Sequence, residues 1–341
     1  MVRTAAMAEQ PLHTSVVIPA YNASQTIGHC LAALAGQTVP QSAYEVIVVD
    51  DGSTDDTAAI AARHGARVLR QANSGPAAAR NRGIDAARGE VILFTDADCE
   101  PAPDWIEQML APLADPQITG SKGVYRTRQR SLAARFIQVE YEDRYDHTAK
   151  HTYIDFIDTY AAAYRRDALS ASGGFSTRFP FASVEDQELS FRLARAGHKM
   201  LFNPRAVVYH QHPESWMHYA RRKFKIGYWK TLVLRWHPDK AWRDSHTPSS
   251  LKVQLLLAAL SAPLVVLSVL ARPAVWWLVL DLGAFAASAA PFVLKAWRRD
   301  RPLAWLSVPA LYVRAWSLGL GLVGGYVAAL LRQGPLAGRE T

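Results

Sequence analysis

Short apolar runs alternate with helix-like stretches through the first hundred residues. Ser15-Val16-Val17-Ile18 is closed by Pro19 and leads into a helix-like stretch reaching Ala35. Residues 45–49 form the next apolar run, ending at Asp50-Asp51-Gly52-Ser53. Residues 54–63 predict a helix with Ser53 or Thr54 as its N-cap. A third strand is expected at 66–69, a helix at 76–87 and a fourth strand at 91–95. Apolar runs of this length between helical segments predict a parallel α/β sheet covered on both faces. Such sheets bind ligands at the carboxyl ends of their strands. Further along, helices are expected at 132–144 and 186–196, a short strand at 161–164, and two strands, 199–202 and 206–209, around Asn203-Pro204.

The last third has another pattern. No charged residue lies between Val253 and Ala271, only Asp281 between Pro273 and Leu294, and only Arg314 between Leu303 and Leu331. Each stretch reaches the ~20 residues that cross a hydrocarbon core as a helix, which excludes a purely soluble protein. Before them, Trp216, Tyr219, Phe224, Tyr228, Trp229, Trp236 and Trp242 are interleaved with Arg221, Arg222, Lys223, Lys225, Lys230 and Arg235. Aromatics with snorkelling cations suit the lipid headgroup zone, so 214–250 is read as an interfacial segment in preference to a basic helix packed on the preceding domain. The expected organisation is a tail at 1–12, an α/β domain at 13–213, the interfacial segment at 214–250, three membrane helices within 251–332 and a tail at 333–341.

Of 341 residues, 38 are Lys or Arg and 30 are Asp or Glu, giving a formal net charge of +8. Much of that excess flanks the apolar stretches, where anionic lipid is a sufficient partner, so no nucleic-acid partner is expected. Lys240, Arg243 and Lys252 precede the first membrane helix and Lys295, Arg298, Arg299 and Arg301 follow the second, against Arg272 alone between them. That bias puts the α/β domain and the second loop on the cytoplasmic side of a multi-pass inner-membrane protein. Met1 to Pro11 holds no long apolar run of a secretory signal. Cys30 and Cys99, the two cysteines, cannot build a disulfide framework or a four-cysteine zinc site.

Three acidic sites carry candidate chemistry. Asp50-Asp51-Gly52-Ser53 ends a strand, where it is either a turn or a carboxylate for a base or ribose. Asp96-Ala97-Asp98 also follows a strand. Carboxylates two apart in extended backbone point the same way and can share Mg2+ or Mn2+, which would neutralise a diphosphate leaving group. Glu185-Asp186-Gln187-Glu188 opens a helix, where acidic residues are common, but one carboxylate there can take the proton of an acceptor hydroxyl. The helix terminus is expected to lower that carboxylate's pKa. His210-Gln211-His212 would place both rings on one face of an extended segment, either as metal ligands, with His210 the better candidate, or as strand-end histidines without a metal. Gly319-Leu320-Gly321-Leu322-Val323-Gly324 matches a dinucleotide-binding pattern but lies in a membrane stretch, where Gly321 and Gly325 instead suggest close helix packing. Asp281 and Arg314 are costly in lipid and could each mark a substrate path or a pair, with snorkelling of Arg314 to the inner interface the plainer account.

Taken together, Val16-Val17-Ile18-Pro19-Ala20-Tyr21-Asn22, Val49-Asp50-Asp51-Gly52-Ser53-Thr54-Asp55, Ala79-Arg80-Asn81-Arg82-Gly83-Ile84 and Asp96-Ala97-Asp98 resemble the family 2 glycosyltransferases over roughly residues 13–213. The resemblance implies a GT-A fold (a Rossmann-like α/β domain), a UDP- or GDP-sugar donor and a divalent cation. It also implies nucleotide contacts at Pro19, Tyr21 and Asp50 or Asp51, and Arg80 near the phosphates. Asp96 would lie near ribose and metal, with Asp98 the direct metal ligand. Gly173, Gly174 and Glu185 would face donor sugar and acceptor, and Asp186 would be the base. The expected reaction is inverting transfer to a hydroxyl of a membrane-held acceptor, a lipid-linked saccharide or hydroxylated lipid. The alternatives are transfer to a polyprenyl phosphate, which needs no base, and a non-catalytic membrane scaffold.

Overall fold

The computed structural model describes residues 14–180 and 182–331, and the expected tails lie outside them. Strands β1 (Thr14–Ala20), β2 (Tyr44–Asp50), β3 (Arg67–Arg70) and β4 (Val91–Phe94) alternate with helices α1 (Ile27–Ala35), α2 (Thr57–Arg63) and α3 (Pro76–Ala86). These strands pair in parallel in the order β3-β2-β1-β4. Next come β5 (Cys99–Pro101), α4 (Trp105–Leu110), β6 (Ile118–Arg126), α5 (Leu132–Thr148), β7 (Ala162–Arg165), α6 (Arg166–Ala171), α7 (Glu185–Arg195) and β8 (Lys199–His210). They complete an eight-stranded sheet, β3-β2-β1-β4-β7-β6-β8-β5. β7 runs antiparallel to β4 and β6 and β5 antiparallel to β8, so the sheet is mixed, and the all-parallel expectation holds for its first four strands and for the β6–β8 pair. Side-chain alternation builds a core on each face. Val16 and Ile18 of β1 meet Leu31 and Trp105, while Val17 meets Ala79 and Leu189.

Two local expectations change for identifiable reasons. Residues 199–210 make one strand instead of two. The register against β6 shifts between Lys122 and Val124, and the Asn203 side chain accepts from the Arg205 N–H and donates to the Gln108 carbonyl, absorbing Pro204. Helix α2 starts at Thr57, three residues late, because Asn22 takes the groups expected to cap it. The Asn22 N–H donates to Ser53 Oγ and its Oδ1 accepts from the Thr54 N–H. Asp55 accepts the Thr57 N–H instead.

After the sheet come α8 (Trp216–Trp236), α9 (Ser249–Leu270), α10 (Val275–Arg299) and α11 (Arg301–Leu330). The segments Ser249–Leu270, Arg272–Arg299 and Arg301–Leu330 are each long and apolar enough to span a membrane. Helix α8 connects the α/β domain to the apolar helices. Its Trp229, Leu232 and Val233 pack on Phe156, Phe179 and Phe191 of the α/β domain, and its other side crosses α11. Trp216, Met217 and Phe224 remain exposed. The crossing is close because glycines meet backbone on both sides. A Cβ on Gly227 would strike the Leu318 carbonyl, and one on Gly321 the Phe224 carbonyl. The glycine pattern is therefore a packing device. On the opposite side, Lys295 pairs with Asp146 at 2.6 Å and Arg299 with Glu142 at 3.1 Å, tying the α10–α11 turn to α5 and hence to the α/β domain's side of the helices.

One buried carboxylate joins all three parts. Glu140 of α5 accepts from Lys223 Nζ at 2.6 Å, Arg144 Nη2 at 2.6 Å and Tyr219 Oη at 2.9 Å, and Arg314 Nη1 of α11 lies 3.6 Å away. Arg314 also donates to Gln254 Oε1 of α9 at 2.6 Å. It is only 5% exposed, so it does not snorkel, because a carboxylate and an amide are already in reach inside the bundle. Burial works against the Glu140 charge, but Lys223, Arg144 and Arg314 outweigh it and hold its pKa below the ordinary 4.5.

Gly321→Ala is expected to cost about 1–3 kcal/mol through overpacking at the α8–α11 crossing. Gly319→Ala, whose Cβ would find its nearest atom at 3.9 Å, should leave stability unchanged or slightly higher. Thermal unfolding in detergent compares the two. Glu140→Gln should cost about 3–5 kcal/mol near neutral pH, since it leaves buried cations uncompensated. A carboxylate with a depressed folded-state pKa contributes fully above 4.5 and loses that contribution as pH falls, so the wild-type advantage should narrow on acidification from pH 5.

Candidate active site

The carboxyl ends of β1, β2 and β4 open into a cavity of about 1260 Å³ walled on its far side by α8. Pro19 near the end of β1 and Tyr21 just after it line its edge, and Tyr21 is 53% exposed. The Asp50–Asp51 pair divides. Asp50 is fully buried and spent on Arg70 Nε and the Ser53 N–H, both away from the cavity. Asp51 lines the cavity, where it accepts from Gln71 Nε2 and from the N–H groups of Ser74 and Gly75. Gly75 takes φ of +88° at the N-cap of α3, a backbone state that suits glycine.

Arg80 is 3% exposed and binds two carboxylates, donating from Nη1 to Glu185 at 2.8 Å and from Nη2 to Asp96 at 3.1 Å, with the Phe175 ring beneath it. It thereby ties the end of β4 to the start of α7. Gly173 and Gly174, both with positive φ, line neither this cavity nor its neighbour. Their turn is set from outside by Asn81, which accepts from the Phe175 N–H and donates to its carbonyl, and by Arg192, which donates to the Gly174 carbonyl. Asn81 is not singled out by sequence because nothing in its local pattern announces a partner ninety residues away.

Asp96 and Asp98 present oxygens within 4.8 Å of each other and of the Cys99 sulfur. Cys99 is a soft sulfur donor, which hard divalent ions such as Mg2+ and Mn2+ do not favour over oxygen and imidazole. His210 supplies the better third donor, its Nε2 lying 3.3 Å from Asp98 Oδ2. The hydrogen-bond pattern assigns its tautomer. Gln138 Nε2 donates to the Tyr125 carbonyl, leaving Gln138 Oε1 to accept from His212 Nε2 at 3.1 Å. Burial pushes the His212 pKa down to about 3, so the ring is neutral and its Nδ1 must accept from His210 Nδ1, 3.1 Å away. His210 Nε2 then points a lone pair at a carboxylate. Two acceptors at 3.3 Å require a positive charge, either a proton on the ring or a cation held by both. Two carboxylates and an imidazole suit a hard divalent ion such as Mg2+ or Mn2+.

A second cavity, of about 380 Å³, begins where the first ends and shares with it Arg80, Asp96, Tyr125, Ala182, Arg222 and Ile226. Glu185 and Asp186 line it. Asp186 faces the opening while protein surrounds it. That burial, with the charges of Glu185 and Asp158 nearby, raises its pKa well above the ordinary aspartate value. The helix terminus was expected to lower it, but the dipole contributes less here than desolvation in a walled pocket beside two carboxylates. At its far end the cavity reaches Leu251 and Leu255 of α9 and Leu318 and Leu322 of α11.

Comparison with known proteins agrees with this geometry. Residues 15–173 match Glycosyl transferase family 2, and the chain carries a domain of that family. The chain is 31% identical over 241 residues to the pre-mycofactocin glycosyltransferase of Mycobacterium tuberculosis, covering 66% of this chain and 48% of that one. It is 39% identical over 106 residues to glycosyltransferase AglE of Haloferax volcanii, covering 29% of this chain and 35% of that one. It thus spans about half, or less, of the length of these relatives. Its fold resembles that of the mannosyltransferase PcManGT from Pyrobaculum calidifontis, solved with GDP-Man and Mn2+. The TM-score is 0.58 at 24% identity, covering 94% of this chain and 88% of that one. The fold is GT-A followed by three apolar helices.

Asp98→Ala is expected to abolish Mn2+ binding measured by electron paramagnetic resonance titration. Gln138→Leu, which touches no metal but releases the His212 tautomer, should weaken binding roughly 10- to 100-fold. Unchanged affinity in both variants would place the cation elsewhere.

Proposed function

We propose that this protein is a metal-dependent, inverting glycosyltransferase that moves a sugar from a UDP- or GDP-sugar to a hydroxyl of a lipid or lipid-linked acceptor. In this reading it is a multi-pass protein of the cytoplasmic membrane with its catalytic domain on the cytoplasmic side. The observation that carries the reading is the meeting of two cavities at Arg80 and Asp96. One is bordered by the Asp96–Asp98–His210 cluster, and the other opens past Asp186 toward membrane-type helices.

The donor's base would rest between Tyr21 and Asp51, with its diphosphate toward Asp96 and Asp98. A divalent cation bound at Asp98, Asp96 and His210 would offset diphosphate charge and make it a better leaving group. Arg80 holds Asp96 and Glu185 at fixed spacing, which aligns donor and acceptor sides. Asp186 receives the acceptor's hydroxyl proton as its oxygen bonds to the anomeric carbon. The bond from that carbon to the diphosphate breaks, and the nucleoside diphosphate leaves with the electron pair. A raised pKa makes Asp186 a stronger base than an exposed aspartate.

Purified protein supplied with native lipid extract and Mn2+ should release nucleoside diphosphate from one donor in a UDP- and GDP-sugar screen, and EDTA should stop it. Asp186→Asn should lower kcat about 10²- to 10⁴-fold with nucleotide binding intact. It should also remove the acid limb of the wild-type pH profile, which the raised pKa displaces upward from 3.8. Full activity in Asp186→Asn would instead identify a nucleophile that needs no base, such as a lipid phosphate.

A further inference from the structure

Six cations and five carboxylates line the second cavity, and three of the cations, Arg222, Lys230 and Lys252, have no carboxylate within ion-pair distance among the described residues. Asp158 pairs with Lys122 at 2.7 Å, Glu185 and Asp96 pair with Arg80, and Asp244 accepts the N–H groups of His246 and Thr247. Among the cations, Arg144 is committed to Glu140 and Lys240 to Asp155. Lys230 and Arg222 make no hydrogen bond or ion pair with any described residue. Both belong to α8, where Arg222, Ile226, Lys230 and Leu234 recur every four residues and line the cavity as one stripe. Arg222 stands at the junction with the donor cavity, and Lys230 lies two helical turns, about 12 Å, further along. Lys252, at the start of α9, donates to the Trp242 carbonyl and keeps further N–H donors at the same wall.

Resting on the reading above, we infer that this cavity binds an acceptor in which a polyol or saccharide is joined through phosphate to an apolar tail. The hydroxyl would lie at Asp186 and the phosphate on Lys230, with the tail between Leu251 and Leu255 of α9 and Leu318 and Leu322 of α11. Asp244 shares the cavity with Lys230, but no carboxylate of the described residues lies within ion-pair distance of that ammonium. A half-buried ammonium without such a contact is costly, and an anionic ligand supplies it. The four leucines come from two of the apolar helices, so the apolar part of the ligand enters from the bilayer. A neutral glycolipid would leave Lys230 unpaired, and a water-soluble sugar phosphate would leave the leucine crevice empty.

The test uses the full chain in neutral detergent, with native mass spectrometry as the readout. Phosphatidylinositol is the probe because it joins a polyol through phosphate to acyl tails. The wild type should bind it at least tenfold more tightly than Lys230→Gln, and Lys230→Arg should restore most of the difference. Dodecyl glucoside, which has tail and hexose but no phosphate, should bind both proteins alike and weakly. Inorganic phosphate at millimolar concentration should not displace the lipid. Equal phosphatidylinositol affinity in wild type and Lys230→Gln would overturn the proposal, provided the variant still binds Mn2+ as the wild type does. If Lys230→Gln loses Mn2+ binding as well, Lys230→Arg becomes the deciding variant, and its failure to hold the lipid at neutral pH with Mn2+ bound would also overturn the proposal. Displacement by inorganic phosphate would mark a soluble-phosphate site and overturn it as well. Lys230-dependent lipid binding in a protein that releases no nucleotide from any donor would retain the site and reject the transferase reading, so the two failures are separable.

Discussion

Glu140 must satisfy cations from three directions in the protein interior. Arg144 comes from its own helix, Lys223 from α8 and Arg314 from α11, a helix long and apolar enough to span. Removing any one element leaves a buried charge uncompensated, which is far more costly than the pair is stabilising. The consequence is register. Helix α8 can rotate or slide only by breaking Lys223 away from Glu140, and the Gly227 and Gly321 contacts with opposing backbone allow no slack at the crossing. The stripe that walls both cavities lies on α8, so the shape of the site is fixed by a carboxylate that touches no substrate.

Under the proposed function, this arrangement answers a difficulty specific to membrane-bound transfer. A donor with a charged diphosphate belongs in water, whereas an acceptor with an apolar tail belongs in the bilayer. The two cavities keep those environments apart and join them over a wall only a few side chains wide, at Arg80, Asp96 and Arg222. Arg80 is suited to the boundary because a planar guanidinium can hold two carboxylates in fixed relative positions. Its neutralisation of Asp96 and Glu185 also leaves Asp186 as the unpaired carboxylate of that corner.

The strand ends were legible in the sequence because local pattern dictates them. Apolar runs set β1, β2 and β4, and the acidic residues after them fall at one end of a parallel set whatever the rest of the chain does. Asp51, Asp96, Asp98 and Asp186 accordingly line the two cavities. What local pattern cannot carry is pairing at long sequence separation. Asp50 looks as eligible as Asp51 until Arg70 is seen to occupy it. β6 escaped notice because its small and polar residues, such as Thr119, Gly120, Ser121 and Lys122, give no apolar alternation although all of them are buried. Glu140 reads as one polar position in an amphipathic helix, and its partners lie 83 and 174 residues further on.

The aromatic and basic stretch carries more tasks than its composition announces. Interleaved Trp, Tyr, Lys and Arg suggested the headgroup zone, yet Tyr219 and Trp229 are buried in protein and Lys223 is consumed by Glu140. The composition is explained by α8 having several faces with different tasks. One packs on the α/β domain, one crosses α11 through glycine, and one lines the route between the cavities. A helix serving all three cannot show a simple apolar stripe, so its amphipathic signal is weak even though nearly every turn is committed. Arg222 and Lys230 on the cavity face have no hydrogen-bond or ion-pair partner among the described residues. A helix constrained elsewhere by packing retains such residues where a ligand, and not the fold, provides the counter-charge.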